Sequence, residues 1–436
     1  MVDGLPPNQP RKPLDMADIR PVRGTHDLYG EAMRRHRRVV GTARRTAALY
    51  GYEEIATPIF EFAEVFQRSL GETSDVVSKE MYAFEDRGGE RLVLRPENTA
   101  GVVRAVLSNG LLQGLPLKLF YAGPMFRYER PQKGRQRQFH QIGVELIGAA
   151  EPLADVEVVA LGSHVLEALG LEGRYVLEIN SLGDPESRAA YRDVLVGYLE
   201  GHKGRLSEDS LRRLERNPLR ILDSKDEGDR AVVAEAPRLG EHLNAASRDF
   251  FAAVLDGLGE LGIACTQNPN LVRGLDYYTH TAFEFTTPEL GAQSALIAGG
   301  RYDGLVGELG GPATPGVGWA AGIERLAMLS GEPPPPVRPV ALVPIGPEAG
   351  RAAAGIADRL RRAGVAVELA FRGKPAQRMK RADRANACLA LFLGDDELAQ
   401  GAVKLRDLDT KDEETLPLDG LESALASRLG QDQDGA

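Results

Sequence analysis

Apolar and polar positions repeat with two different periods along this chain, and the changes of period divide it. From Glu31 to Tyr50, Met33, Val40, Ala47 and Ala48 fall on one side of a helical repeat, and arginines at 34, 35, 37, 38, 44 and 45 occupy the rest. Gly51 ends that helix, and Tyr52–Pro58 alternates as a strand closed by proline. Leu92–Leu94 reads as a strand running into a helix that carries Val102, Val103 and Val106, with Asn98 or Thr99 as its cap. Met125–Glu129 and Phe139–Ile147 both have strand period, and the polar, breaker-rich stretch 130–137 joins them as a hairpin loop. Side chains alternate across a strand, so Arg127 and Glu129 share a face. Phe139, Gln141, Gly143 and Glu145 share a face of the second strand, opposite Ile142, Val144, Leu146 and His140.

The pattern then turns helical. Asp184-Pro185-Glu186 has the form of a helix start, and Leu, Arg, Glu and Ala dominate as far as Gly262, which reads as a helical insertion. Strand period returns at Leu271 and continues through Phe285. Ile297–Gly304 is glycine-rich, and Gly316–Leu326 reads as a strand passing into a helix with Arg325 in its early turns. Glu332–Arg338, EPPPPVR, is a stiff linker. Beyond it come strand Val340–Ile345, helix Arg351–Ala363, strand Val365–Leu369, helix Pro375–Ala387 and strand Leu389–Leu393. That is a small α/β domain with a mainly parallel sheet.

Composition narrows the function. A length of 436 residues implies two to four domains. No apolar run reaches the ~18 residues of a membrane span, and MVDGLPPNQPRKPLD reads as a short disordered lead without a signal-peptide core. Cys265 and Cys388 lie far apart without metal-type spacing, which points to a reduced, cytoplasmic setting. A net charge of −10 gives no global argument for nucleic acid. Any such contact rests on a local patch, and Arg372, Lys374, Arg378, Lys380, Arg381 and Arg384 form one. The plain alternative there is a solvated helix face.

The hairpin carries the clearest chemistry. Its polar face suits one small zwitterion and one phosphate ligand, because a guanidinium fork matches carboxylate or phosphate and a flat ring can lie under a base. Glu97, at a strand–helix junction, is placed to receive an ammonium group. The glycine-rich segment is neither a Walker loop nor a GxGxxG signature.

Five segments together resemble one family. The helix 31–50 with the strand ending at Pro58 is similar to class II motif 1, the dimer element, FRYERPQKGRQRQFHQIGVELIG to motif 2, and GVGWAAGIERL to motif 3. LVRGLDYYTHTAFEF and IAGGRYDGLV resemble the two segments peculiar to bacterial-type histidyl-tRNA synthetases, and the carboxyl-terminal α/β domain resembles their anticodon-binding domain. The resemblance runs from Ile19 to about Ala426 and implies a multidomain α/β and α+β protein. It would have a disordered lead over 1–18 and a class II antiparallel-sheet catalytic domain over 19–330, with the helical insertion at about 184–262. A linker at 331–338 and an anticodon-binding domain at 339–436 would follow.

The activity implied is activation of L-histidine with ATP, and the magnesium ion that accompanies it, to histidyl-adenylate and pyrophosphate. Histidine then passes to the 3' end of tRNA(His). The resemblance also implies a homodimer, no membrane and no metal site of the protein's own. By motif position, Arg127, Arg273 and Arg325 are the catalytic cations. Glu97, Thr99, Arg127, Gln141, Glu145, Arg273, Tyr277 and Tyr278 bind histidine, the imidazole being read by Glu145 and Tyr278. Arg127, Glu129, Arg135, Phe139 and Arg325 bind ATP, and Arg130 and Gln132 meet the tRNA acceptor end. Asn98 stands where many members have glycine. The rival class is the non-catalytic regulatory subunit of ATP phosphoribosyltransferase, which lacks the terminal domain and parts of the motifs. Residue chemistry agrees with the first reading: positioning and charge stabilisation dominate phosphoryl chemistry, and a neutral imidazole is both donor and acceptor.

Overall fold

The computed structural model describes residues 19–71, 76–131, 134–222, 224, 226–272, 275, 277–293 and 295–429. The chain divides into two compact units between Pro333 and Pro334.

In the first unit α1 (Gly30–Leu49) leads to the short strand β1 (Glu53–Glu54). Then come β2 (Phe60–Phe62), α2 (Ala63–Leu70), β3 (Tyr82–Glu85), β4 (Arg91–Leu94) and α3 (Thr99–Ser108). The hairpin β5 (Leu117–Phe126) and β6 (Gln138–Ile147) follows, then α4 (Pro152–Ala168) and β7 (Val176–Ser181). Helices α5 (Pro185–Glu200), α6 (Glu208–Arg216), α7 (Glu227–Val233) and α8 (Ala245–Glu260) come next. The unit closes with β8 (Thr266–Gln267), β9 (Thr279–Thr286), β10 (Ala295–Arg301), α9 (Leu305–Glu308), β11 (Gly316–Gly322) and α10 (Ile323–Leu329).

One sheet organises these elements, in the order β1-β5-β6-β11-β10-β9-β7-β8. Its six middle strands are antiparallel, and β1 and β8 add to the edges in parallel. Alternation sorts its two faces. Ile142, Val144 and Leu146 of β6 join Trp319, Phe283 and Phe285 in a core covered by α1, α4 and α8. The opposite face holds a second cluster containing Tyr121, Tyr277, Tyr278 and Tyr302 with residues of α2 and α3. The helices α5 to α7 enclose a core of their own around Tyr191, Leu195, Ile221 and Val232, whereas Val254 and Leu258 of α8 belong to the main core. Asp184 caps α5 by accepting from the Ser187 N–H at 2.8 Å, and proline follows it at the first helical position.

Three strands differ from expectation where partners distant in sequence engage their backbone groups. The strand expected at Tyr52–Pro58 contracts to Glu53–Glu54, because the carbonyls of Thr57 and Pro58 accept from Arg95 instead of joining a ladder. The strand expected at Met125–Glu129 begins at Leu117 and ends at Phe126. There the chain peels away: the Tyr128 N–H donates to Glu80 O at 2.7 Å and the Glu129 N–H to Arg127 O at 2.8 Å. Arg127 and Glu129 therefore lie beyond the end of the strand. The strand expected from Leu271 starts at Thr279, and Asn180 Nδ2 donates to the Leu271 carbonyl at 3.0 Å.

A buried ion pair ties β10 to α4. Arg301 and Asp155 are both fully buried and paired, and Arg301 also donates to the Ala149 carbonyl at 3.0 Å and to Asp303 at 3.1 Å. Removing Asp155 leaves the buried Arg301 only the partly exposed Asp303 as a counter-charge, and breaking a buried pair typically costs about 3–5 kcal/mol. Asp155→Ala is expected to lower stability on that scale in denaturant unfolding. A loss below about 1 kcal/mol, the scale of an exposed pair, would show that the pair is not structural.

The second unit contains β12 (Val340–Ile345), α11 (Pro347–Arg362), β13 (Val367–Leu369), α12 (Pro375–Arg384) and β14 (Leu389–Gly394). It ends with α13 (Asp395–Ala399), β15 (Ala402–Asp407), β16 (Glu413–Pro417) and α14 (Leu421–Arg428). The sheet order is β13-β12-β14-β15-β16. Its first three strands are parallel, as the alternating pattern predicts, but β15 and β16 add antiparallel. The one-turn helix α13 reverses the chain where a full crossover would be needed for another parallel strand. Leu342, Leu360, Leu391 and Leu405 sit in its core.

Candidate active site

On the sheet face away from α1, α4 and α8 a cleft of about 270 Å³ opens between β6, β11, β10 and the start of α3. Its two ends differ in charge. Arg127, Arg135 and Arg325 line one end beside Glu129 and Phe139. Each guanidinium is held by backbone or carboxylate. Arg127 Nε donates to Pro96 O at 2.9 Å, and its Cζ lies 5.4 Å from the Phe139 ring centre. Arg135 Nε is 2.5 Å from Glu129 Oε2. Arg325 donates to Gly134 O at 3.2 Å and to Ala295 O at 2.9 Å. Burial lowers the pKa of Arg325, and repulsion from Arg135 and Arg127 lowers it further against Glu129 and Glu284. Three cations crowded in a partly buried cleft are stabilised by an incoming polyanion.

Glu97, Thr99, Gln141, Tyr277 and Tyr278 line the other end. Neither Asn98 nor Thr99 caps α3 through its side chain. Glu97 does: its carboxylate accepts from the Thr99 N–H at 2.6 Å and the Ala100 N–H at 3.0 Å. Asn98 is instead structural. Its Oδ1 accepts from Thr57 Oγ1 at 2.6 Å and from Arg95 at 3.1 Å, and Arg95 also reaches Pro124 O at 2.9 Å. The Glu97 side chain is thus fixed from behind. Burial raises its pKa, opposed by the two helix N–H donors and by Arg127.

Glu145 does not line the cleft. It is fully buried and joined to the wall through Thr99, whose Oγ1 donates to Oε1 at 2.7 Å, while the Tyr302 hydroxyl donates to Oε2 at 2.5 Å. Burial pushes its carboxyl up to about 8, with the two hydroxyl donors pulling it back. Two glycines make this packing possible. A Cβ at Gly318 would stand 2.0 Å from Glu145 Oε2, and one at Gly143 would stand 2.3 Å from the Tyr121 ring.

Arg130 is exposed on the hairpin loop and is not among the cleft-lining residues. Gln132 and Arg273 lie outside the described residues. Sequence reasoning passed over Tyr302, Tyr121 and Glu324. Tyr302 was visible in the glycine-rich run, but its link to Glu145 crosses 157 positions. Among the described residues no group of three or more His, Cys, Asp or Glu is arranged to hold a metal ion. A larger cavity of about 700 Å³ lies on the helix side, near Tyr50, His164 and Cys265, and contains none of the candidate histidine-, ATP- or tRNA-binding residues.

Residues 24–326 match the sequence model of the histidyl-tRNA synthetase family, and residues 339–428 that of the anticodon binding domain. The chain is 61% identical over 419 residues to the histidine–tRNA ligase of Rhodospirillum rubrum, covering 95% of this chain and 100% of the relative. It is 58% identical over 415 residues to that of Gluconacetobacter diazotrophicus, again covering 95% and 100%. A crystal structure of apo histidyl-tRNA synthetase from S. aureus superimposes with a TM-score of 0.79 at 36% identity, covering 93% of this chain and 99% of that one. The first match spans every segment that lines the cleft and the relatives align almost end to end, so the chain belongs to the histidyl-tRNA synthetase family.

Proposed function

We propose that the protein is a histidine–tRNA ligase, which joins L-histidine to ATP as histidyl-adenylate with release of pyrophosphate and then transfers histidine to the 3' end of tRNA(His). The observation that carries this reading is the bipolar cleft, with three guanidiniums at one end and a fixed carboxylate among hydroxyls at the other. A triphosphate suits the first end and an amino-acid ammonium the second. In this reading Arg127 bridges the α-phosphate and the histidine carboxylate, Arg135 and Arg325 take the outer phosphates, Phe139 stacks on adenine, and Glu129 lies near its amino group. Glu97, Thr99 and Gln141 receive the ammonium, and Glu145 with Tyr278 reads the imidazole beside Tyr277. Arg273 serves as the further cation near the α-phosphate, and Arg130 and Gln132 meet the acceptor end. Magnesium enters with ATP as part of the substrate. Such an ion would need only one or two protein carboxylates, and Glu284 lines the cleft. The regulatory-subunit reading draws no support from relatives named as ligases or from the matched terminal domain. Histidine-dependent exchange of pyrophosphate into ATP tests the assignment; a folded protein that shows none rejects it.

The second unit is read as the tRNA anticodon reader. In α12, Arg378, Lys380, Arg381 and Arg384 follow an exposed Phe371. A chain ending near Leu329 is expected to keep adenylate formation and to lose most tRNA charging. Undiminished charging would remove the terminal unit from recognition.

A homodimer is also proposed. The sheet β2-β4-β3 buries Val93 and Glu61 on its inner side. Its other side aligns Phe60 and Phe62 with Leu94 and Leu92, and these with Tyr82 and Phe84. Phe60 is 52% exposed and Phe62 50%, a contiguous apolar face that a second copy would cover. Phe62→Glu is expected to convert the protein to monomers in light scattering; an unchanged mass would place the interface elsewhere. No helix among the described residues is long and apolar enough to cross a membrane, and the proposed activity places the protein in the cytoplasm.

A further inference from the structure

Arg188 stands in the first turn of α5, where the helical insertion leaves the sheet after β7. It does not line the cleft, yet its Nη1 donates to the Tyr278 carbonyl at 2.7 Å. A second tie follows two residues on. His280 takes a left-handed backbone, φ +46°, which is uncommon for a residue other than glycine. Its N–H donates to Gly183 O at 2.9 Å, and its carbonyl accepts from the Leu182 N–H at 2.6 Å. Both ties come from one short segment, 182–188, which is itself fixed. Asp184 accepts from Asn244 Nδ2 at 2.7 Å, and Ser187 Oγ accepts from the Asn244 N–H at 3.0 Å. Asn244 caps α8, so the starts of α5 and α8 are locked together.

Tyr278 therefore faces two ways. It lines the histidine end of the cleft, and it also walls a narrow crevice with Arg188, Leu219 and Leu239 of the insertion. Val272, from the segment leading to it, packs both against the core of α5 to α7 and against the cluster on the cleft side. A carbonyl held by a guanidinium makes a charge-assisted hydrogen bond, roughly twice as strong as a neutral one. We propose that Arg188 is a positioning residue for histidine recognition: it fixes Tyr278 at the cleft wall, and so couples the helical insertion to the histidine end of the cleft. The proposal rests on the reading of Tyr278 as an imidazole contact. A hydroxyl that must meet a ring nitrogen tolerates little displacement, because hydrogen bonds weaken steeply with distance and angle. The nucleotide end is built on the β5–β6 hairpin and α10. Histidine affinity should therefore depend on Arg188, and ATP affinity should not.

The test is a double-mutant cycle on the full chain. Histidine Kd is read by isothermal titration and KM for ATP by pyrophosphate exchange, with a melting curve for each variant. Arg188→Leu is expected to weaken histidine binding roughly tenfold, the scale of one lost charge-assisted hydrogen bond, with KM for ATP unchanged. Tyr278→Phe removes the hydroxyl but keeps the carbonyl, and should weaken histidine binding by itself. In that background Arg188→Leu should cost little more, because it acts through the hydroxyl already lost. If Arg188→Leu does not fold, Arg188→Gln keeps a neutral donor and carries the same cycle, with a severalfold loss. A purely structural Arg188 would lower the melting temperature and weaken both substrates alike. Unaltered histidine affinity in the folded Arg188 variant, equal weakening of both substrates, or losses that add in the double variant would each overturn the proposal. Tyr278→Phe separates the two levels. Weakened histidine binding there with none in the Arg188 variant overturns the positioning role alone. Unchanged histidine binding in Tyr278→Phe overturns the imidazole reading of Tyr278 and the proposal with it.

Discussion

Arg127→Ala should slow histidyl-adenylate formation about a hundredfold to a thousandfold, the usual scale for one lost electrostatic contact to developing charge. In this step a histidine carboxylate oxygen attacks the α-phosphorus, a new P–O bond forms, and the bond to pyrophosphate breaks. Charge shifts onto the non-bridging oxygens, so a cation fixed in advance helps the transition state more than the ground state. Arg127 meets that requirement. Its Nε is committed to Pro96 O at 2.9 Å, its guanidinium lies over Phe139 at 5.4 Å, and it borders the cleft. The competing account is that Arg127 only ties the segment at Pro96 to the hairpin. Arg127→Ala would then lower the melting temperature and raise both KM values together. Single-turnover rates at saturating histidine and ATP decide between them. A slow step in a stably folded variant supports catalysis, and a normal rate defeats it. Arg127→Lys should recover little, because lysine keeps the charge but not the planar fork that grips two oxygens.

How much of this was legible in the sequence depends on the range of the interaction. The face of β6 was readable, because period-two alternation puts Ile142, Val144 and Leu146 in one core and leaves Phe139 and Gln141 on the other side. The start of α5 was readable from Asp184 and Pro185, since a cap acts across three residues. The end of β5 was not, because Tyr128 leaves the ladder to bond Glu80, 48 positions back in sequence by subtraction. For the same reason the sequence points to Asn98 or Thr99 as the cap of α3. Both fit the local pattern, but Asn98 is drawn off by Thr57 and Arg95, and Thr99 by Glu145. Glu97, the residue before Asn98, caps instead. Charge pairing was the least legible. Nothing in a single sequence says that Asp155 answers Arg301, or that Glu324 answers His140 and not an arginine.

Glu145→Gln is expected to weaken histidine binding by about a hundredfold, roughly 2.7 kcal/mol at 1.36 kcal/mol per tenfold, while ATP binding stays near normal. Thr99 and Tyr302 already donate to the two oxygens of Glu145. Glu145 lies behind the cleft wall, so an imidazole N–H reaches it only where the wall opens beside Thr99, and would then be a third donor. A carboxylate has lone pairs for all three, whereas glutamine has one accepting oxygen and turns a donor toward the others. Buried polar readers left unpaired are what makes a site discriminate strongly. The same residue makes a stability prediction of opposite sense. Burial holds the Glu145 carboxyl at about 8 without ligand, against about 4.3 in an unfolded chain. The folded protein therefore binds the extra proton between those values. Its contribution to stability is complete below about pH 4.3 and is lost as pH rises through about 8. Glutamine carries no such charge, so Glu145→Gln should gain on the parent in melting temperature as pH rises from 6 to 9 while losing histidine affinity throughout. Isothermal titration with histidine and melting curves across that range check both halves. Unchanged histidine affinity with an altered melting profile would make Glu145 a buried sheet residue and assign imidazole recognition to Tyr278 and its neighbours.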